Sequence, residues 1–326
     1  MLLPKLSTLA SVSFFALAPM LAAEETGNAV NANGMLVAEN SSAIEQARIL
    51  RDAASPSIGV DANGNALPDG ESNFSDDDSF GTQQMLETKE RPRRFSIFGG
   101  GSVLYTNNAE LTRNHMEDDV FAVANAGLVW SAPIAANLEA NIGGQASLFR
   151  YHKMSSLDFN SVGFGAGLQY TPPSLRGVSF FLRYDFTELF GRGGHQILTD
   201  HLFSFGVQKG FAFGRTQGVT FGATGMLDIS DPYSAQRSQA GLFLNYHLQL
   251  ARKLSVDVLA RPAAHFYPAQ DRTDFNSVIS TNLRYRFSEF AGVSGFLSYS
   301  LNRSSDPWND YNAFSTGIGL DFEFRF

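Results

Sequence analysis

Ionisable side chains that alternate with apolar ones are the main candidates for chemistry in this sequence. Arginines and acids at such spacing can bind charged solutes or pair with one another across neighbouring strands, whereas an ion-selective channel is typically lined by charges of one sign. Five arginines balance six acids here, so we expect weak ion selectivity at most, and mutual pairing is the stronger hypothesis. The candidates are Glu139, Arg183, Asp185, Asp228, His247, Asp257, Arg261, Arg284, Arg286, Asp321, Glu323 and Arg325.

Covalent and metal chemistry have little support in the sequence. The chain has no cysteine, which excludes disulfides, thiolate metal ligands and cysteine nucleophiles. Of its six histidines, only His247 has a strongly polar setting, between Asn245 and Gln249. We find neither a Gly-x-Ser-x-Gly nucleophile elbow nor a zinc-ligand spacing. The sequence therefore predicts no catalytic residues, no metal and no cofactor.

The candidate residues belong to segments in which apolar and polar positions alternate. A period of two residues is typical of a β-strand with one apolar and one polar face. The pattern begins near Arg93 and recurs every 15 to 20 residues, with turn residues between the segments. The predicted strands lie at about 95–106, 119–131, 136–151, 159–171, 177–188, 199–210, 218–229, 238–251, 253–265, 274–287, 292–303 and 313–326.

The last segment carries the most information. From Phe314 every second residue is apolar or small, charged residues interleave near the end, and the chain stops on Phe326. In these residues the chain resembles bacterial outer-membrane β-barrel proteins of the porin type, whose last strand typically ends in an aromatic residue read by the barrel-insertion machinery. The resemblance implies a Gram-negative cell envelope, lipid as a partner and contact with that machinery during biogenesis, but it indicates no subfamily. The insertion signal would be Phe322, Phe324 and Phe326.

We therefore predict an all-β fold: a transmembrane, antiparallel, up-and-down barrel of about twelve strands, with ten to fourteen possible. Segments of twelve or more residues exceed the usual length of soluble strands and argue against a soluble β-sandwich. Short connections after strands two, four, eight and ten alternate with longer ones after strands one, three, five, nine and eleven, as in outer-membrane barrels. Aromatic residues near strand ends predict two interfacial girdles: Tyr105, Trp130, Tyr170, Phe186, Phe287 and Tyr299.

The N-terminal part has two regions. Residues 1–23 have the order of a secretory signal peptide. Residues 24–92, called the leader below, are acidic, poor in aromatic residues and expected to be a mostly disordered linker in the periplasm. A capping box at Ser42 and Glu45 predicts a short helix over 42–54, either a plug or periplasmic contact or merely part of a tether. An apparent calcium loop from Asp61 lacks the required glycine and acid, and the acidity argues against nucleic acid as a partner.

Function follows less directly from the sequence. The leading hypothesis is a small passive pore for polar solutes. Glycines on the polar faces, including Gly163, Gly165 and Gly167, leave room for a channel or for a plug, although they also ease barrel curvature. The alternative is a structural or adhesive barrel that displays outer loops and keeps its leader in the periplasm. An outer-membrane hydrolase that uses His247 is the third hypothesis.

Overall fold

The computed structural model describes Arg48, residues 94–214 and residues 216–326. The predicted signal peptide, the leader boundaries and all of the predicted helix except Arg48 lie outside the described residues. Twelve antiparallel strands form one closed barrel in which each strand pairs with its neighbours in sequence and β1 pairs with β12, confirming the predicted fold class. The strands are β1 Phe95–Thr106, β2 Asp119–Ala135, β3 Leu138–Tyr151, β4 Phe159–Tyr170, β5 Val178–Gly191, β6 Gln196–Phe213, β7 Gln217–Asp231, β8 Ser238–Ala251, β9 Leu254–Tyr267, β10 Arg272–Arg286, β11 Ala291–Ser304 and β12 Tyr311–Arg325.

The barrel closes where the first strand meets the last. The register runs from Ser96 opposite Arg325 to Thr106 opposite Ser315. The backbone N–H groups of Arg94 and Phe95 both donate to the carbonyl oxygen of Phe326, and the Phe95 and Phe326 rings stack with centroids 5.8 Å apart. The C-terminal aromatic residue therefore completes the seam as well as ending the chain.

The two ends of the barrel differ less in loop length than the sequence suggested. The short-turn end holds both termini of the barrel and the turns after β2, β4, β6, β8 and β10; the loop end holds the other connections. The connection after β6 is confined to residues 214–216, because pairing of Phe213 with Gln217 extends both strands. At the loop end the expectation of long connections after β5 and β9 was wrong. Only residues 192–195 and 268–271 remain there, since the flanking strands continue to pair beyond their predicted ends.

The outer face of the barrel is a continuous apolar surface. Outward residues such as Leu182, Leu242, Leu244 and Ile318 are each about half exposed or more, while their inward neighbours are covered. Soluble proteins rarely expose an apolar band of this extent to water, whereas a membrane barrel presents such a band to the lipid hydrocarbon. No helix among the described residues is long and apolar enough to cross a membrane. The predicted girdle residues all lie on this outer face, as do Phe322, Phe324 and Phe326.

Replacing Leu244 near the middle of β8 with arginine tests whether the outer face contacts lipid. A charge at mid-bilayer depth should lower the free energy of unfolding by about 2–4 kcal/mol, whereas Phe287→Arg at the short-turn end should cost only about 0–1 kcal/mol. Reversible urea unfolding in lipid vesicles measures both. Equal and small effects at the two positions would indicate a water-facing surface.

Candidate functional site: the barrel lumen

The strand register places all twelve candidate charged residues on the inner face. Nine lie in the half of the lumen next to the short-turn end. Asp185 lies near the middle of β5 and Arg261 near the middle of β9, and Asp228 lies in the half next to the loop end, three residues before the end of β7. The two halves have different linings and are described separately as the short-turn half and the loop half. The nine residues of the short-turn half are Glu139, Arg183, His247, Asp257, Arg284, Arg286, Asp321, Glu323 and Arg325.

Ion pairs run around the wall of the short-turn half. Arg325 Nε lies 2.8 Å from Glu323 Oε1, which also accepts a hydrogen bond from Ser96 Oγ across the seam. Arg284 on β10 pairs with Asp321 on β12 and so bridges over β11. The side chains of these two ion pairs, and of the Arg183–Asp185 and His247–Asp257 pairs, keep between 14 and 26 % of their surface exposed. The lumen of the short-turn half is therefore lined by charged side chains, and opposite charges in this lining neutralise each other.

The pair of Arg183 and Asp185 depends on a glycine of the adjacent strand. Arg183 Nε donates to both oxygens of Asp185, at 2.8 and 2.7 Å, and Arg183 Nη1 donates to Asn141 Oδ1 at 3.1 Å. A Cβ atom on Gly165 of β4 would collide with Asp185 Oδ1 and Arg183 Nη2. The space left by this inward glycine is thus filled by the ion pair. Gly206 and Gly222 make room in the same way for the rings of Phe181 and Phe243.

His247 also has an acidic partner. Its Nδ1 atom lies 2.7 Å from Asp257 Oδ1 on the neighbouring strand. A histidine and the acid that orients it are two of the three members of a hydrolytic triad. The same contact also results when charges of the lumen wall pair across neighbouring strands. Among the described residues, no group of three or more His, Asp or Glu side chains is arranged to hold a metal ion.

The loop half is packed with apolar side chains along strands β1 to β6. Phe149 stacks on Phe159 with ring centroids 4.2 Å apart, and Phe121 stacks on Tyr151 at 4.8 Å. Leu157, from the connection between β3 and β4, joins them and is almost fully buried. This cluster was not predicted, although its period-2 signal is present in the sequence: Phe149 and Tyr151 continue the inward positions of Glu139 and Asn141 along β3.

Buried carboxylates attach the loops to the mouth of the barrel. Asp119, at the start of β2, accepts hydrogen bonds from the backbone N–H groups of Lys153 and Met154. Asp158 accepts one from the Tyr151 N–H, and burial raises the pKa of the Asp158 carboxyl. On the opposite wall Asn302 Nδ2 donates both to Asp274 and to the carbonyl oxygen of Asn309, which lies in the connection between β11 and β12. The loops therefore fold against the barrel mouth and narrow it.

Asp228 lies in a separate polar cluster of the loop half. Its Oδ1 accepts a hydrogen bond from Ser230 Oγ at 2.5 Å, and its Oδ2 accepts one from the Arg237 backbone N–H at 2.9 Å. The same Oδ2 accepts a hydrogen bond from Nη2 of Arg48, at 2.9 Å. This contact with the leader was not predicted, and no local pattern could have revealed it, since 180 residues separate the two partners.

Solved structures with a similar fold are outer-membrane channels and porins. An outer-membrane channel from Pseudomonas putida F1 has 11 % identity and a TM-score of 0.50, and the match covers 74 % of this chain and all of that one. KdgM porin, in complex with disordered oligogalacturonate, has 8 % identity, a TM-score of 0.40 and coverage of 70 % and 99 %. An anion-selective porin from Comamonas acidovorans has 11 % identity, a TM-score of 0.38 and coverage of 71 % and 99 %.

The closed twelve-stranded barrel with an apolar outer face places the chain in the outer-membrane β-barrel class of folds, as the sequence resemblance predicted. At these identities the likeness concerns the fold alone. No protein-family model matches the sequence, and no curated protein matches it.

Gly165→Val tests the role of glycine in the lumen wall. The added side chain would displace the Arg183–Asp185 pair, and we expect a loss of about 1–3 kcal/mol in the free energy of unfolding, as for other overpacked sites. Gly144→Val on the outer face is the matched control, because a Cβ atom there meets only one backbone oxygen, at 3.9 Å. Comparable losses for both variants in urea unfolding would contradict the assignment.

Proposed function

We propose that the protein is a small passive pore of the outer membrane that passes polar solutes through the short-turn half and past the narrowed loop half. The observation that carries this proposal is the ring of partly exposed ion pairs inside a barrel with an apolar outer face. In a barrel filled with side chains, these ion pairs would have no contact with solvent and would be fully buried. The likeness of the fold to a solved outer-membrane channel supports the proposal.

A structural barrel without transport is the second candidate. The stacked aromatic residues of the loop half, together with loops that fold against the mouth, favour a closed interior. The two candidates differ in one property, because a filled loop half would leave a folded barrel electrically silent. Planar-bilayer recording of the protein from Glu24 and of a variant that begins at residue 91 distinguishes them: steps from either protein support the pore, and silence from both supports the structural barrel.

Ion selectivity gives a sharper test of the proposed pore. With Arg284 changed to glutamine, Asp321 loses its partner, and the reversal potential in a salt gradient should move toward cation preference. Asp321→Asn should move it toward anion preference, while the unmodified pore should show weak selectivity. Both variants remove one charge from the same ion pair and so control for each other.

Shifts of the same sign for the two variants would contradict the placement of this pair along the solute path. Hydrolysis of lipid or peptide substrates that is lost in His247→Ala would instead support the enzyme hypothesis, for which the His247–Asp257 contact is the relevant geometry.

A further inference from the structure

Arg303 is an arginine on the outer face of the barrel, one residue before the end of β11. Two aromatic residues surround it on this face: Phe275, its register partner on β10, and Tyr299, four residues earlier on β11. Both are about half exposed. The apolar outer band therefore reaches the height of Arg303, which places its charge at the boundary between hydrocarbon and lipid head groups, where arginine is tolerated far better than at mid-bilayer depth.

The guanidinium group of Arg303 is held in place by neutral acceptors. Its Nη1 atom donates to the carbonyl oxygens of Asn302 and Tyr311, at 2.8 and 3.3 Å, and its Nη2 atom donates to Asn312 Oδ1 at 3.2 Å. In the part of the chain that the structure describes, no carboxylate lies within ion-pairing distance of it. Because a guanidinium group has five N–H donors, at least two remain for an acceptor outside the barrel. Arg303 is thus an oriented cation whose charge the barrel does not neutralise.

A second arginine lines the same cleft. Arg113 and Met116, from the connection between β1 and β2, enclose the cleft together with Arg303, Asp310 and the first residues of β12. Its volume is about 100 Å³, that of roughly three water molecules, which is sufficient for a phosphate group. The two arginines come from opposite sides of the seam between β1 and β12, so closure of the barrel brings them together.

The cleft carries one net positive charge, because it contains two arginines and one aspartate. Asp310 Oδ2 lies 3.5 Å from Arg113 Nη1, while Asp310 Oδ1 accepts a hydrogen bond from the Ser304 backbone N–H at 2.8 Å. Asp310 therefore balances Arg113 and leaves the charge of Arg303 uncompensated. Guanidinium groups bind phosphate oxygens through paired N–H groups, so a phosphate supplies both the missing charge and the missing acceptors.

The surroundings of the cleft favour a lipid over a soluble anion. Met116 at the cleft is half exposed, as are Phe275 and Tyr299 beside Arg303. Acyl chains attached to a bound phosphate would cover these side chains, whereas a soluble phosphate ion would leave them uncovered. We propose that the Arg113–Arg303 cleft binds the terminal phosphate of an anionic lipid in the monolayer at the loop end. The proposal requires an outer face that contacts lipid and is independent of transport through the lumen.

Fluorescence quenching by brominated lipids measures which lipid lies next to a tryptophan. The native Trp130 and Trp308 are first replaced by phenylalanine, which removes both tryptophans of the chain, and Tyr299→Trp then places a single reporter on the strand of Arg303. In phosphatidylcholine vesicles that contain brominated phosphatidic acid, the reporter should be quenched more than the bulk lipid composition predicts. Arg303→Gln should lower this preference about fivefold, the factor expected for one cationic residue near an anionic lipid.

Arg150→Gln is the matched control. Arg150 lies on the outer face near the loop end of β3, and its guanidinium group donates to Asn160 Oδ1 and to the carbonyl oxygens of Phe149 and Phe159, as that of Arg303 does to its own acceptors. It is four strands away from Arg303 around the barrel, so its loss should leave the quenching of the reporter unchanged. Equal losses of preference for Arg303→Gln and Arg150→Gln would reduce the effect to general surface charge and overturn the proposal.

Asp310→Asn separates phosphate binding from a merely structural role of the cleft. The substitution raises the net charge of the cleft by one and keeps an oxygen that can accept the Ser304 N–H, so the preference for phosphatidic acid should rise. A preference that falls or stays unchanged would contradict the assignment. Inorganic phosphate in the buffer should not displace the lipid, and loss of the preference in its presence would assign the cleft to a soluble anion instead. Heat-modifiable gel migration verifies folding of each variant.

Discussion

Closure of the sheet is the constraint on which the rest of this structure depends. In hydrocarbon every unpaired backbone N–H or C=O group costs several kcal/mol, so a spanning sheet must have no edge. The pairing of β1 with β12 removes the edge, and the chain end takes part in it through the Phe326 carbonyl group. Once the strands are closed into a barrel in one register, each strand residue points either into the lumen or outward. A shift in register would therefore change the inner and outer surfaces together.

The inner surface shows the consequences of that fixed geometry. Inward charges meet partners on the same or nearby strands, and small residues supply the space that the partners need. Gly165 accommodates Arg183 and Asp185, and Gly292 lies beneath the bridge from Arg284 to Asp321, where a Cβ atom would come within 3.4 Å of the carboxylate. Glycine in this wall is thus a packing residue. The resulting lumen has a partly exposed, charged half and a tightly packed half.

The sequence was sufficient for the strands and for the separation of each strand into an apolar and a polar face, because both follow from a period of two. Strand ends and loop lengths were predicted less accurately, because strand pairing continues past the point where the apolar–polar alternation weakens, as at Phe213. The sequence did not predict which charges pair with each other. Arg284 contacts Asp321 two strands away because of the register between β10, β11 and β12, and no local sequence pattern specifies that register. The contact of Arg48 is harder still, because it joins a region without alternation to a strand far along the chain.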